Sequence, residues 1–402
     1  MTKLPTLATE AKLPTLATEA WLTAPALQRL FATLAAAGGE GRAAGGAVRN
    51  ALLGEKVTEV DVATTLSPEL VTAACAAVGM KVHPTGIEHG TVTVVVDHHP
   101  FEVTTLRHDV ETDGRRAKVK FTDDWEADAQ RRDFTMNAIY CDARGTIYDF
   151  VNGWPDVQRR RVVFVGDPES RITEDYLRIL RFFRFHARYG HGAPDAAGLA
   201  ACTRMKAGLD GLSAERIRQE MFKLMAAPGA VETLKLMAGH GILSKLLPYT
   251  DDLRVLERLP PDPLLRLAVL AQDPLSMPER WRLSNHEARR LAAIVSLMPP
   301  SPALRPQEQR IMLYQHGAEA WRDLVRVAWA RSEAPLDDAG WRDLLELPDR
   351  WPIPALPVSG RDLLSTGMSP GPEIGVVLKK LEDWWLASDF QPTRDELLKR
   401  LT

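Results

Sequence analysis

Two acidic residues, Glu59 and Asp61, stand two positions apart with Val60 between them and Val62 after them. Side chains alternate along an extended chain, so a strand over 57–63 sends both carboxylates to one face while the valines pack on the other. Glu102, between Phe101 and Val103 in a second apolar segment, can complete a three-carboxylate cluster. Hard oxygen donors of this kind suit Mg2+, and in a two-metal site such ions clamp the attacking hydroxyl, the transferring phosphoryl group and the leaving pyrophosphate. The plainer reading is an alternating strand with its polar face in water. Thirteen residues before Glu59 lies Gly46, within the run Gly45-Gly46-Ala47-Val48-Arg49 that leads into a short predicted helix over 50–53. Glycines admit close backbone approach to phosphate, a helix start offers free N–H groups, and Arg49 adds a fixed cation.

This combination resembles the nucleotidyltransferase signature of the DNA polymerase β superfamily, in which a glycine-rich turn holds a triphosphate beside a metal-binding D-x-D. Further blocks narrow the resemblance: Arg131 to Ala138 (RRDFTMNA), Glu174 to Arg178 (EDYLR), Gly86 to Thr93 (GIEHGTVT), Gly371 to Gly375 (GPEIG) and Leu381 to Trp385 (LEDWW). From about Leu22 onward the chain is similar to the class II CCA-adding tRNA nucleotidyltransferases. The resemblance implies template-independent, Mg2+-dependent transfer of C, C and A from CTP and ATP to the 3′ end of tRNA, with release of pyrophosphate. It implies nucleotide contacts for Gly45, Gly46, Arg49 and Arg132, metal ligation by Glu59 and Asp61, and a third acidic position at Glu102. Asp175, Arg178, Arg181 and Arg184 match the family's E-D-x-x-R-x-x-R-x-x-R helix, whose Asp and Arg serve as a protein template for cytosine and adenine.

That role is physically sensible, because Arg offers rigid paired donors and a carboxylate offers acceptors. One turn apart on a helix, Asp175 and Arg178 can address one base edge, and guanine or uracil leaves groups unpaired. Successive steps of three residues rotate backward around a helix, so Arg184 falls opposite Asp175. Arg181 and Arg184 are therefore expected to serve phosphate or the helix's own packing. The polar stretch 107–125, with Gly114, reads as a mobile loop of full length; in the family such a loop helps switch from CTP to ATP.

Three departures from the family pattern stand out. Glu59 replaces the usual Asp, which moves the carboxylate by about 1 Å where Mg2+ demands near-ideal octahedral geometry. Asn50 replaces an acidic residue, and Ala117 stands where the loop often has Pro. Bacterial poly(A) polymerase is the first alternative reading; the GIEHGTVT block and the lack of a basic C-terminal tail argue against it. A tRNA-binding protein whose catalysis is weakened through Glu59 is the second.

The elements that must position these residues divide the chain. Segments 91–96 and 101–106 read as β-branched strands joined by a polar turn at 97–100, and 57–63 as a third. Beyond Trp154 helical spacing dominates, at 172–189, 214–226, 231–240 and 285–297, with proline-rich joints at 259–263, 299–306 and 352–357. The expected fold is α+β, a small nucleotidyltransferase head of mixed sheet and helices followed by an all-helical neck, body and tail. The expected divisions are a flexible arm at 1–21, where KLPTLATEA at 3–11 recurs at 12–20, a head at 22–150, a neck at 151–225 and a tRNA-binding body and tail at 226–402.

At 402 residues, 26 % charged and 45 % apolar, the chain can bury several cores and is not a disordered or fibrous protein. Its three cysteines, Cys75, Cys141 and Cys202, form no C-x-x-C pair, which argues against a zinc cluster or a disulfide-stapled secreted fold and fits a reducing cytoplasm. No apolar run approaches membrane-spanning length, so no membrane partner is expected, nor is an obligatory protein partner evident. The net charge is only −3, yet segment 158–223 holds thirteen Lys or Arg against eight Asp or Glu. A local surplus of that kind fits phosphate contacts along a tRNA acceptor stem.

Overall fold

The computed structural model describes residues 13–111, 118–250 and 253–401. Its chain falls into two units, Met1–Leu247 and Pro248–Thr402. The first begins with α1 (Pro25–Ala36), β1 (Gly41–Ala44), α2 (Gly46–Leu52), β2 (Asp61–Thr64) and α3 (Pro68–Ala77). It continues through β3 (Lys81–Gly86), β4 (Thr91–Val96), β5 (His99–Thr105), β6 (Arg107–Glu111), β7 (Lys118–Phe121), α4 (Trp125–Gln130), β8 (Ile139–Cys141) and β9 (Ile147–Asp149). Strands pair in the order β3-β4-β5-β2-β1-β8-β9, and β2 with β5 is the parallel pair within this sheet.

Local chemistry accounts for the pieces. In β4 Val92, Val94 and Val96 are buried while the threonines and Val95 between them are half-buried, as strict alternation dictates. Asp97 and His98 both adopt positive φ, closing β4 onto β5 with a two-residue turn. Ser67 and Asp124 accept backbone N–H groups at the starts of α3 and α4. A helical series follows the sheet: α5 (Trp154–Gln158), α6 (Pro168–Glu174), α7 (Leu177–Tyr189), α8 (Ala196–Met205), α9 (Ala214–Met225), α10 (Ala230–Gly239) and α11 (Leu243–Leu246). The architecture is the α+β head and helical continuation expected from the sequence.

The second unit is helical: α12 (Arg254–Glu257), α13 (Pro263–Leu270), α14 (Met277–Arg280), α15 (Asn285–Ser296), α16 (Pro306–Arg331), α17 (Ala339–Arg350), α18 (Gly360–Ser365), α19 (Pro372–Ala387) and α20 (Arg394–Lys399). Trp281, Trp321, Trp341 and Trp385 are buried in it, and Arg290 joins Asp262 to the buried Asp323. Among the described residues no helix is long and apolar enough to cross a membrane. All three cysteines are buried and free.

Four local expectations are corrected. β2 begins at Asp61, four residues later than the strand read over 57–63, because its ladder to β1 and β5 starts there. Glu59 is therefore in the lead-in to the strand. The stretch 107–125 is not an open loop; β6 and β7 pair antiparallel as a ribbon, Trp125 opens α4, and Gly114 and Ala117 lie outside the described residues. The helix expected over 172–189 is interrupted at Asp175, whose backbone is extended. The described part of the N-terminal arm is docked, since Leu16 is buried and donates its N–H to the Gly145 carbonyl at 3.0 Å.

That docking is sharply constrained at Gly145. Its φ is +86°, and a Cβ there would lie 2.2 Å from the Ala17 nitrogen. Gly145→Ala should therefore cost more than Gly79→Ala, where φ is also positive but nothing lies within 4 Å. The expected penalties are about 1 kcal/mol at Gly79 and at least about 2 kcal/mol at Gly145. Denaturant melts of the two variants check this, and equal losses would show that the arm adds nothing.

Candidate active site

The parallel register sets Asp61 directly beside Glu102 on adjacent strands. Asp61 keeps solvent access, yet it is sufficiently enclosed that desolvation, reinforced by the fields of Glu102 and Glu59, raises its carboxyl above the usual range. Arg132 works in the opposite direction. Glu59 is exposed and lines a recess with Trp21, Leu27, Val57 and Phe101. Among the described residues no three His, Cys, Asp or Glu side chains are gathered closely enough to hold a metal ion. The sheet register brings Asp61 and Glu102 together, and the field of Glu59, from the lead-in to β2, also reaches Asp61. The pair alone still has the chemistry for a hard divalent cation, which typically takes one or two carboxylates and completes its shell with phosphate and water.

Beside this pair the chain leaves β1 through Gly45, at φ 63° and ψ −115°, a conformation that glycine alone adopts easily. A Cβ on Gly45 would lie 3.5 Å from Arg132 Nη1, so the Arg132 guanidinium hangs over the turn. Arg132 donates to the Asn137 carbonyl through Nη1 (3.3 Å), to the Tyr140 hydroxyl through Nε (3.0 Å) and to Asp128 Oδ2 through Nη2 (3.1 Å). Burial disfavours its charge, but Tyr140 and Asp128 outweigh that and hold its pKa above the ordinary arginine value.

Arg49 is turned inward. It is 6 % exposed, donating to Asn137 Oδ1 (2.5 Å) and to the Tyr189 hydroxyl (2.7 Å), with Asn50 Oδ1 taking a further bond at 2.9 Å. Every one of those partners is neutral, and burial lowers its pKa. It nevertheless stays near the turn, with Nη2 3.7 Å from where a Gly46 Cβ would sit. Tyr189 ends α7, so this arginine also ties α2 to the neck.

The remaining candidates lie along α6, α7 and the break between them. Asp175 accepts the Leu177 N–H at 3.1 Å and pairs with Arg216 at 2.7 Å. Its extended backbone breaks the helix, but its carbonyl accepts the Arg178 N–H at 3.0 Å, so the two residues stay one turn apart at the start of α7. Arg178 pairs with Glu174 and donates to the carbonyls of Arg171 (2.9 Å) and Arg131 (3.3 Å). Arg181 forms a two-pronged bond to Asp133 Oδ2, and Arg184 Nε lies 2.7 Å from Glu220 Oε2 without hydrogen-bond geometry. Asp133 in turn accepts from Asn137, which holds Arg49. Sequence reasoning gave no role to Asp128, Asp133, Asn137, Tyr140 or Glu220. The spacing of Asp128 to Arg131 and Arg132, three and four residues on a helix, was the signal available for the first of them.

The fold and this site define a nucleotidyltransferase with a polymerase-type head. Residues 42–163 match the family described as "Poly A polymerase head domain", and residues 195–253 that described as "Probable RNA and SrmB- binding site of polymerase A". The chain is 36 % identical to "CCA tRNA nucleotidyltransferase 1, mitochondrial" of Danio rerio, over 90 % of this chain and 86 % of the relative. It is 31 % identical to the CCA-adding enzyme of Lactobacillus helveticus, over 92 % and 94 % of the two chains. The crystal structure of the Bacillus stearothermophilus CCA-adding enzyme in complex with CTP superposes with a TM-score of 0.76 at 30 % identity, covering 90 % and 93 %. The chain belongs to the CCA-adding enzymes, the CCA tRNA nucleotidyltransferases.

A carboxyl whose folded pKa is raised contributes more stability in acid than at neutral pH, because the folded site favours its protonated form. Asp61→Asn should therefore raise Tm at pH 7, and the Tm gain should shrink as pH falls through the carboxylate range. Calorimetric scans at pH 7 and pH 4 check the sign; a lower Tm at pH 7 would contradict it.

Proposed function

We infer that this chain adds CCA to the 3′ end of tRNA from CTP and ATP, releasing pyrophosphate. The observation that carries the reading is the placing of Asp61, Glu102, the Gly45–Gly46 turn and Arg132 in one corner of a chain that matches CCA-adding enzymes nearly end to end. We propose that Asp61 and Glu102 hold Mg2+, with Glu59 reaching the site from the lead-in to β2. When bound, the metal lowers the barrier by neutralising charge on the triphosphate and activating the RNA 3′-hydroxyl. In this reading the Gly45–Gly46 turn lets the triphosphate approach the backbone, Arg132 meets its charge, and Arg49 supports the turn from behind with a buried positive field.

Asp175 and Arg178 are proposed to read the base, exchanging Arg216 and Glu174 for the edge of cytosine or adenine. Wrong bases leave buried donors or acceptors unpaired at about 1–3 kcal/mol each, enough for selection without a nucleic-acid template. Arg181 and Arg184, engaged by Asp133 and Glu220, are proposed to fix the orientation of α7. The ribbon of β6 and β7 is proposed to assist the change from CTP to ATP. We take 22–150 as the catalytic head, 151–225 as the neck and 226–402 as the tRNA-binding body and tail. A reducing cytoplasmic setting suits three free buried cysteines.

The test is incorporation of labelled CTP and ATP into a tRNA transcript lacking CCA, with sequencing of product ends. Two C followed by one A, abolished by EDTA, is the expected product. Long runs of A alone would assign a poly(A) polymerase, and tRNA binding without turnover would show that Glu59 has cost the chemistry. Asp61→Ala should reduce the rate about a thousandfold, roughly 4 kcal/mol of barrier. Glu59→Ala should also slow it and alter its Mg2+ dependence; an unchanged rate and dependence would remove Glu59 from the metal site.

A further inference from the structure

We propose that Asp128 is a positioning residue for nucleotide binding, selecting which edge of the Arg132 guanidinium faces the Gly45–Gly46 turn. The inference rests on the reading that Arg132 meets the incoming nucleotide. Asp128 lies on α4 with its side chain 1 % exposed. Its Oδ1 accepts from Arg131 Nε (2.8 Å) and Nη2 (2.5 Å) and from the Arg107 N–H (3.3 Å). Its Oδ2 accepts from the Tyr140 hydroxyl (2.7 Å) and from Arg132 Nη2 (3.1 Å) and Nε (3.3 Å). The Tyr140 hydroxyl, while donating to Oδ2, accepts from Arg132 Nε at 3.0 Å.

A guanidinium is a rigid planar fork, so fixing one edge decides what the other can reach. Asp128 and Tyr140 take the Nε and Nη2 edge of Arg132. Nη1 is left with one long bond, 3.3 Å to the Asn137 carbonyl, and is the atom over the Gly45 turn. A carboxylate suits the place because its two acceptor oxygens and its negative charge pair with two adjacent guanidinium groups in a buried setting, which an amide of the same shape cannot do. The bond from the Arg107 N–H places the base of the β6–β7 ribbon on the same carboxylate, so ribbon and Arg132 share one anchor. Nothing in the sequence resemblance assigned Asp128 or Tyr140 a part in the reaction.

The experiment measures CTP affinity, nucleotide KM, tRNA KM and kcat for the full chain and for Asp128→Asn, Tyr140→Phe, Arg132→Ala and the Asp128→Asn/Arg132→Ala pair. Asp128→Asn should weaken CTP binding and raise nucleotide KM by roughly 10- to 100-fold, with tRNA KM unchanged. Tyr140→Phe, which keeps the ring packed on Trp125, should give a smaller rise of about threefold. In the Arg132→Ala background Asp128→Asn should add nothing further. If Asp128→Asn lowers kcat and raises both KM values alike, with or without Arg132, Asp128 is structural only and the proposal falls. If Asp128→Asn does not fold, Tyr140→Phe decides: an unchanged nucleotide KM overturns the proposal. Should Arg132→Ala itself leave nucleotide binding intact, the underlying reading of Arg132 fails; should Arg132→Ala weaken binding while Asp128→Asn does not, the positioning role alone fails.

Discussion

The register between β2 and β5 forces two carboxylates, Asp61 and Glu102, to stand side by side where the sheet opens to solvent. Burial, first of all, and the like charge of Glu102 beside it push the Asp61 carboxyl above its usual range. The rest of the head keeps the pair in place. β5 is secured by its antiparallel ladder to β4, β1 closes the other side of β2, and the buried valines of β4 and β5 fix which face the acids take. Stability given up at such a position is recovered only when a cation or an attacking group uses the charge, which is why an acidic pair of this kind marks chemistry.

Around the acids the protein builds a positive frame whose members are held by specific anions. Asp128 holds Arg131 and Arg132, Asp133 holds Arg181, Glu220 lies against Arg184, and Glu174 pairs with Arg178. Asp128 shows how strongly such a frame is set. Burial alone pushes its carboxyl up, but Arg132, Arg131 and Tyr140 overcome that and bring it down to about 2. Arg49 is the exception, its side chain bonded to the neutral Asn137, Asn50 and Tyr189. Through Asn137 and Tyr189 the glycine turn, the RRDFTMNA block and the end of α7 form one connected hydrogen-bond network.

Much of this was legible in the sequence, and the limits have physical causes. Strand β4 coincides with the β-branched run 91–96 because alternation of buried side chains is a strong local signal. Strand β2 could not be delimited the same way, since its start is set by where its ladder partners begin. The break at Asp175 carries no sequence signal, because EDYL contains neither Gly nor Pro; the Asp175 side chain takes the Leu177 N–H that a continuous helix would have used. The ribbon at 107–121 was hidden by its polar composition, the pairing of β6 with β7 being invisible to a hydrophobic pattern. Candidate site residues were found by block and spacing. Their partners were found only in three dimensions, because ion pairs such as Arg181 with Asp133 or Arg184 with Glu220 join distant segments.

The account stands on Asp61 and Glu102 jointly holding the metal beside the Gly45–Gly46 turn. A crystal of this chain grown with CTP and Mn2+, examined for anomalous scattering, tests it most directly. The account predicts manganese density between the Asp61 and Glu102 carboxylates with the triphosphate against the turn and Arg132. Manganese bound elsewhere, or a triphosphate that touches neither the turn nor Arg132, would contradict it.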